Sequence, residues 1–231
     1  MSIPNSPGEL VGRVHSIQTL GTLDGPGLRV VVFMQGCPLS CFYCHNKETW
    51  DFNLGTLMSV EELFQKILKY KSYFGNEGGV TVSGGEPTAQ AEFVAGLFEL
   101  LHAESIHTAL DTAGPILNSA VRNLLAFTDL VILDIKSTDP VEFNKITGGQ
   151  LPDTLAFLSE CLSLGLDLWI RQVVIAGLND DFEHMDSLAS FLNEKASTSN
   201  TSTSELFRRI ELLGSVPNLS ELQTYLMSKI N

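Results

Sequence analysis

Positive charge is what this chain has least of. Its 231 residues carry 14 Lys and Arg against 27 Asp and Glu, a formal net charge of −13. A surface with that balance repels nucleic-acid backbones and anionic membranes, so the expected partners are proteins and small molecules. Long apolar runs are missing too. No stretch approaches the length needed to cross a bilayer, and the opening "MSIPNSPGEL" has neither a basic n-region nor an apolar h-region. A cytoplasmic location is the expectation. Cysteine is scarce at four residues, and three of them crowd into "QGCPLSCFYCHN" as Cys37, Cys41 and Cys44. Such a distribution is no secreted disulfide framework; in a reducing compartment it points to a metal or catalytic site. No internal repeat stands out.

A chain of this length buries a sizeable core, and it reads as one domain over 1–231. Short β-branched runs alternate with longer amphipathic segments, the pattern of βα units on a parallel sheet. Strands are expected at 28–34, 79–84, 107–112, 130–135, 168–175 and 209–213. Helix starts are marked by capping boxes at Ser59 with Glu62 and at Asn218 with Glu221, and by Asp139 as N-cap before Pro140. Six βα units cannot close an eight-stranded barrel, so the expected fold is α/β, a partial (β/α)6 open barrel whose open side would admit a large substrate. The polar "STSNTSTS" at 197–204 reads as a surface loop. In the C-terminal segment 214–231, Leu219, Leu222, Leu226 and Ile230 recur at helical spacing. Phe33 and Met34 read as core.

Soft thiolates hold zinc, copper(I) or iron–sulfur clusters. Structural zinc usually draws four ligands from two Cys or Cys/His pairs, and here only one C-x2-C pair exists. His45 directly follows Cys44, and neighbours rarely ligate one tetrahedral ion together. Cys161 sits in the apolar "LAFLSECLSLGL" and reads as a buried core cysteine. Three thiolates suit a 4Fe-4S cubane with one iron left open to a small molecule, an arrangement used in radical cofactor chemistry. A zinc knuckle, or three unrelated thiols, is the rival reading. The glycines of "SGGEP" at 83–87 either let the backbone approach a ligand or make a tight strand-to-helix turn. Asp111 and Thr112 end one expected strand, and Asp134 and Lys136 end the next; barrel enzymes place their sites at such ends, although a surface salt bridge is the plainer use of the second pair.

The C-x3-C-x2-C spacing with Tyr43 before the last cysteine resembles the signature of the radical S-adenosylmethionine enzymes. The stretch "GRVHSIQTLGTLDGPGLRVVVFMQGCPLSCFYCHNKETWD", followed by "GGVTVSGGEP", "HTALDTAG", "LVILDIK", "WIRQVV" and "RIELL", is similar to the pyruvate formate-lyase activating enzymes over 11–213. Those enzymes install a glycyl radical in a partner. The resemblance implies that Cys37, Cys41 and Cys44 hold a 4Fe-4S cluster and carry the catalysis. It implies S-adenosylmethionine contacts at Tyr43, His45, Asn46, Gly84, Gly85, Glu86, Asp134, Ile135 and Lys136, with GGE taking the amino group through its backbone. Asp111, Thr112 and Asp134 would gather around a monovalent cation. Asp24 and Arg171 would lie near the glycine-bearing peptide, although Asp24 also suits the turn at Gly25-Pro26-Gly27. Pyruvate formate-lyase is the implied partner, with a flavodoxin or ferredoxin-type electron donor. Two alternatives stand beside this reading: an activase of another glycyl radical enzyme, such as anaerobic ribonucleotide reductase or a glycerol dehydratase, and a catalytically impaired iron–sulfur binding module.

The resemblance breaks at "GSVPNLSELQTYLMSKIN". A family histidine that contacts the cofactor falls on Val216, which can neither donate nor accept a hydrogen bond. One such contact is worth ~1–3 kcal/mol, about tenfold or more in affinity. Restoring the histidine is expected to tighten cofactor binding if the "RIELL" strand delivers position 216 to the barrel mouth.

Overall fold

A computed structural model describes residues 10–199 and 201–231. In chain order its strands are β1 Val11–Gly21, β2 Arg29–Met34, β3 Thr56–Ser59, β4 Gly79–Gly84, β5 His107–Thr112, β6 Leu130–Asp134, β7 Asp167–Val174 and β8 Arg209–Gly214. Its helices are α1 Val60–Leu68, α2 Ala91–Ala103, α3 Ser119–Leu125, α4 Pro140–Thr147, α5 Leu151–Leu164, α6 Phe182–Thr198, α7 Thr203–Leu206 and α8 Leu219–Lys229. The strands form one sheet in the order β3-β1-β2-β4-β5-β6-β7-β8, and the end strands β3 and β8 do not pair. The six expected strands are β2 and β4 to β8, all parallel to their neighbours among themselves. The result is a barrel left open along one side.

Alternation along these strands makes two different faces. Val30, Val32, Val80, Val82, Leu110, Val131 and Leu133 point outward and share a core with Leu63, Phe98, Leu124 and Phe157 of the covering helices. Ala109, Leu130 and Ile132 point inward and pack with Trp169 as a small inner core. Because β2 and β4 run level from Arg29 opposite Gly79 to Met34 opposite Gly84, the strand C-termini arrive together at one rim. Among the described residues, no helix is long and apolar enough to cross a membrane.

Local signals act as expected at two helix starts. Ser59 and Glu62 make a reciprocal capping box, and the Asp139 carboxylate accepts from the Val141 and Glu142 amides ahead of Pro140 at the helix start. Four expectations need correction. Strands β1 and β3 escape the pattern because they are antiparallel additions: β1 pairs with β2 and β3, and most of its side chains are exposed or half-buried. The Asn218 side chain makes no cap bond and donates instead to the Asp180 carbonyl at 3.1 Å. The Ser/Thr run is not a loop throughout: Ser197 and Thr198 end α6, while Ser202 caps α7 in a box with Glu205. Asn200, within that run, lies outside the described residues.

The fourth correction concerns the C-terminal segment. Val216 is only 8 % exposed and packs into the outer core with Leu222 and Leu226 of α8, so position 216 does not face the barrel interior. A histidine there meets aliphatic groups with no polar partner. Val216→His is therefore expected to lower unfolding stability by ~1–3 kcal/mol without tightening S-adenosylmethionine binding. Denaturant unfolding and an equilibrium binding titration of the variant check both halves.

Candidate active site

Inward-facing residues near the rim line a cavity of about 510 Å³. Phe33, Ser83, Asp111, Asp134, Arg171 and Glu211 come to it from six successive parallel strands, joined by Val173 and Leu213. The two loops flanking β2 add 22–24 before it, and the cysteine loop after it with Cys37, Leu39, Cys41, Tyr43, Cys44, His45 and Asn46; Gly84, Gly85, Glu86, Thr112 and Lys136 join them from the ends of β4, β5 and β6. Phe33, expected in the core, faces this cavity; Met34, one residue on, is fully buried in the outer core.

The cysteine loop is held at both ends by backbone. Gly36 donates to the Thr49 carbonyl at 2.7 Å and Cys37 to the Trp50 carbonyl at 3.3 Å. Farther along, Ser40 and Phe42 donate to the Thr147 and Ile146 carbonyls at 2.8 and 3.1 Å, capping the end of α4. The Gln35 amide adds bonds to the Glu48 and Asp51 carbonyls at 2.8 and 2.9 Å. These anchors turn all three thiols to one wall, where they pack with Leu39 and Ala113.

The glycine pair fixes the opposite approach. Gly84 has φ +102, and a Cβ on it would strike the backbone of Phe33 and Met34. A Cβ on Gly85 would strike the Gly36 and Thr49 carbonyls. The close approach is thus made first to the protein's own cysteine loop. Glu86 is 2 % exposed and works as a brace behind the cavity wall. Its carboxylate accepts from the Thr88 amide and hydroxyl, the Thr112 hydroxyl at 2.6 Å and the Ala113 amide at 3.2 Å. Burial raises its pKa against those bonds.

Charge in the cavity is paired across strands. Arg171 lies 3.3 Å from Asp111 and 3.8 Å from Glu211, and donates to the Leu23 carbonyl at 3.2 Å. Ser83 donates to the same Asp111 oxygen at 2.9 Å. Burial pushes the Asp111 carboxyl up to about 6, with Arg171 pulling down and Asp134 pushing further up. Lys136 holds Asp134 at 2.7 Å; burial works against its ammonium, and the Asp134 carboxylate outweighs that, leaving the lysine pKa raised. The other Asp134 oxygen, Oδ1, is buried without a hydrogen-bond partner, as is the Tyr43 hydroxyl.

A family model described as the Radical SAM superfamily matches residues 31–189. The pyruvate formate-lyase-activating enzyme of Clostridium pasteurianum is 43% identical over 184 residues, covering 79% of this chain and 77% of that protein. The pyruvate formate-lyase 1-activating enzyme of Escherichia coli K12 is 39% identical over 188 residues, 80% of this chain and 76% of that one. The chain belongs to the radical S-adenosylmethionine superfamily, among the pyruvate formate-lyase-activating enzymes. Solved structures agree in fold. Streptococcus suis SuiB bound to S-adenosylmethionine has a TM-score of 0.62 at 16% identity, over 84% of this chain and 42% of that one. A domain of a pyruvate-formate lyase-activating enzyme from Bacteroides vulgatus has a TM-score of 0.53 at 23% identity, over 66% of this chain and 92% of that one.

Radical S-adenosylmethionine enzymes use a 4Fe-4S cluster and S-adenosylmethionine, and the donor set fits both. Three soft thiols share one wall with no fourth cysteine there; Cys161 is buried in the outer core. Burial pushes the Cys37 thiol up to about 12, with Glu86 adding to it, and burial likewise raises Cys41. Such thiols stay protonated alone and would release their protons to solvent as iron takes their place on sulfur. Asp134 Oδ1 and the Tyr43 hydroxyl are buried and unpartnered among the described residues, on two residues that line the cavity.

Of the residues expected at the site, only Ile135 is not in this activating-enzyme cavity: it is fully buried in the outer core, one strand position out of phase with Asp134. Two of the three expected cation ligands keep an oxygen with no hydrogen-bond partner among the described residues: Asp111 gives Oδ2 to Ser83 and Arg171, Asp134 gives Oδ2 to Lys136, and the Thr112 hydroxyl serves Glu86. Ser83 and Glu211 were not expected here. Each is a polar residue on the inward phase of a strand, the signal that marks them. Because Gly85 touches the cysteine loop, Gly85→Ala is expected to lose iron and S-adenosylmethionine binding together. Loss of cofactor affinity at full iron content, read by metal analysis, would show that Gly85 serves the cofactor alone.

Proposed function

We propose that this protein activates pyruvate formate-lyase by installing a glycyl radical, and that the residues gathered at the rim divide the task as follows. The observation that carries the reading is the meeting of the three thiols with the Gly84-Gly85 backbone on one rim, in a chain 43% identical to such an enzyme. With its two cofactors bound, the site supplies one-electron reductive cleavage of S-adenosylmethionine, giving methionine and a 5′-deoxyadenosyl radical that takes a hydrogen atom from a glycine Cα.

Cys37, Cys41 and Cys44 hold three irons as thiolates. The backbone of Gly84 and Gly85 takes the amino group of S-adenosylmethionine, with Tyr43, His45 and Asn46 beside it. Lys136 neutralises Asp134 through Oδ2, beside the space the cofactor takes. Asp24 faces the cavity from the loop before β2 and meets the glycine-bearing segment, while Arg171 fixes that loop through the Leu23 carbonyl. Leu20 and Leu23, 47% and 81% exposed, give the mouth an apolar sill against which a peptide can dry. A flavodoxin or ferredoxin-type protein supplies the electron.

Anaerobic reconstitution is expected to yield about four irons per chain and reductive cleavage of S-adenosylmethionine. Incubation with pyruvate formate-lyase should then produce a glycyl radical signal in electron paramagnetic resonance. Cys44→Ala should abolish iron loading and cleavage alike. A single zinc with no cleavage sinks the proposal, and a radical that forms only on another glycyl radical enzyme reassigns the partner.

A further inference from the structure

Among the described residues Arg29 is the largest fully buried side chain, and no step above uses it. No carboxylate lies within ion-pair distance of it among the described residues. Its hydrogen bonds go instead to neutral groups at the barrel floor. Nη1 donates to the Pro26 carbonyl at 3.0 Å and Nη2 to the Val80 carbonyl at 2.8 Å. Nη2 also lies 3.2 Å from His107 Nδ1, which accepts only while the imidazole is neutral. Burial works against the Arg29 charge and Asp129 and Asp24 only partly offset it, so a fold that keeps the arginine here gains something specific from its geometry.

Longer contacts reach the Glu77 and His107 carbonyls at 3.5 and 3.3 Å, and the Nε bond shows what is gained. Nε donates to Thr81 Oγ1 at 2.7 Å, and the Thr81 hydroxyl in turn donates to the Asp24 carbonyl at 2.5 Å. A hydroxyl has one proton. With Nε–H occupying its acceptor side, that proton is aimed at Asp24 and nowhere else. Arg29 therefore grips the loop 22–27 directly at Pro26 and indirectly at Asp24. The loop has little freedom of its own to compensate. Gly25 and Gly27 both have positive φ, and a Cβ on Gly27 would strike the Gly78 backbone.

We infer that Arg29 and Thr81 are positioning residues for partner engagement: a buried relay on the barrel floor that sets the 22–27 loop so that Asp24 faces the incoming glycine-bearing segment. This rests on the reading that Asp24 meets that segment. The relay lies at the opposite end of the strands from the cysteine rim and makes no contact with the thiols or the glycine pair. It reaches the cavity only through the loop 22–24, so its loss is expected to bear on the partner before the cofactor.

Thr81→Val keeps the shape of the side chain and removes both bonds, and Thr81→Ser restores them. In the reconstituted enzyme, Thr81→Val should raise KM for pyruvate formate-lyase about tenfold while S-adenosylmethionine cleavage without partner stays within about twofold of the parent, and Thr81→Ser should return KM to the parent value. Hydrogen exchange of the 22–27 amides should quicken in Thr81→Val, with β4 unchanged. An unchanged KM, or cleavage falling in step with activation, overturns the inference. If the parent protein fails to activate pyruvate formate-lyase at all, the functional reading has failed, and loop exchange alone then decides the relay: parent-like exchange in Thr81→Val overturns it. Asp24→Asn separates the remaining pair. A parent KM in Asp24→Asn beside a raised KM in Thr81→Val removes Asp24 as the contact and keeps the relay.

Discussion

The cavity depends on one guanidinium. Arg171, at the middle of β7, is the counter-charge for an inner face that otherwise gathers Asp24, Asp111, Asp134 and Glu211 around one cavity. Burial disfavours its charge, and the surrounding carboxylates more than reverse that, so the arginine stays ionised. Like charges so close in a low dielectric would force protonation or open the barrel; one cation reaching Asp111, Glu211 and the Leu23 carbonyl lets the ring persist. Lys136 does the same for Asp134 at the next strand. The loop before β2, the strand ends and the cysteine wall are positioned around these two pairs.

Much of the frame was legible from short-range pattern. Strands β2, β4, β5 and β6 are buried along most of both faces, so each reads as a compact apolar run, and Ser59 and Asp139 announce their helices through bonds made within three residues. What could not be read depends on distant partners. β1 has a mostly exposed pattern and becomes a strand because β2 and β3 flank it. Asn218 looks like a cap until the Asp180 carbonyl, 38 residues away in sequence, takes its amide. Val216 lies in the outer core only because α8 folds back over β8.

At the site, spacing located the cysteines, the glycine pair and the strand-end charges, since each is a local motif. It did not give strand phase. Ile135 was grouped with Asp134 and Lys136, yet adjacent strand positions face opposite ways, and its side chain went to the helices. The same blindness hid Phe33, Ser83 and Glu211, whose inward direction is a property of register. Arg29 and Thr81 were invisible for a deeper reason: their bonds join residues 52 and 57 positions apart.

The amides of Ser40 and Phe42 close off the last carbonyls of α4, so the cysteine loop and that helix end share one set of hydrogen bonds. The two segments lie 107 residues apart in sequence at Ser40 and Thr147. A change that unwinds the last turn of α4 therefore loosens the cysteine wall without touching a cysteine.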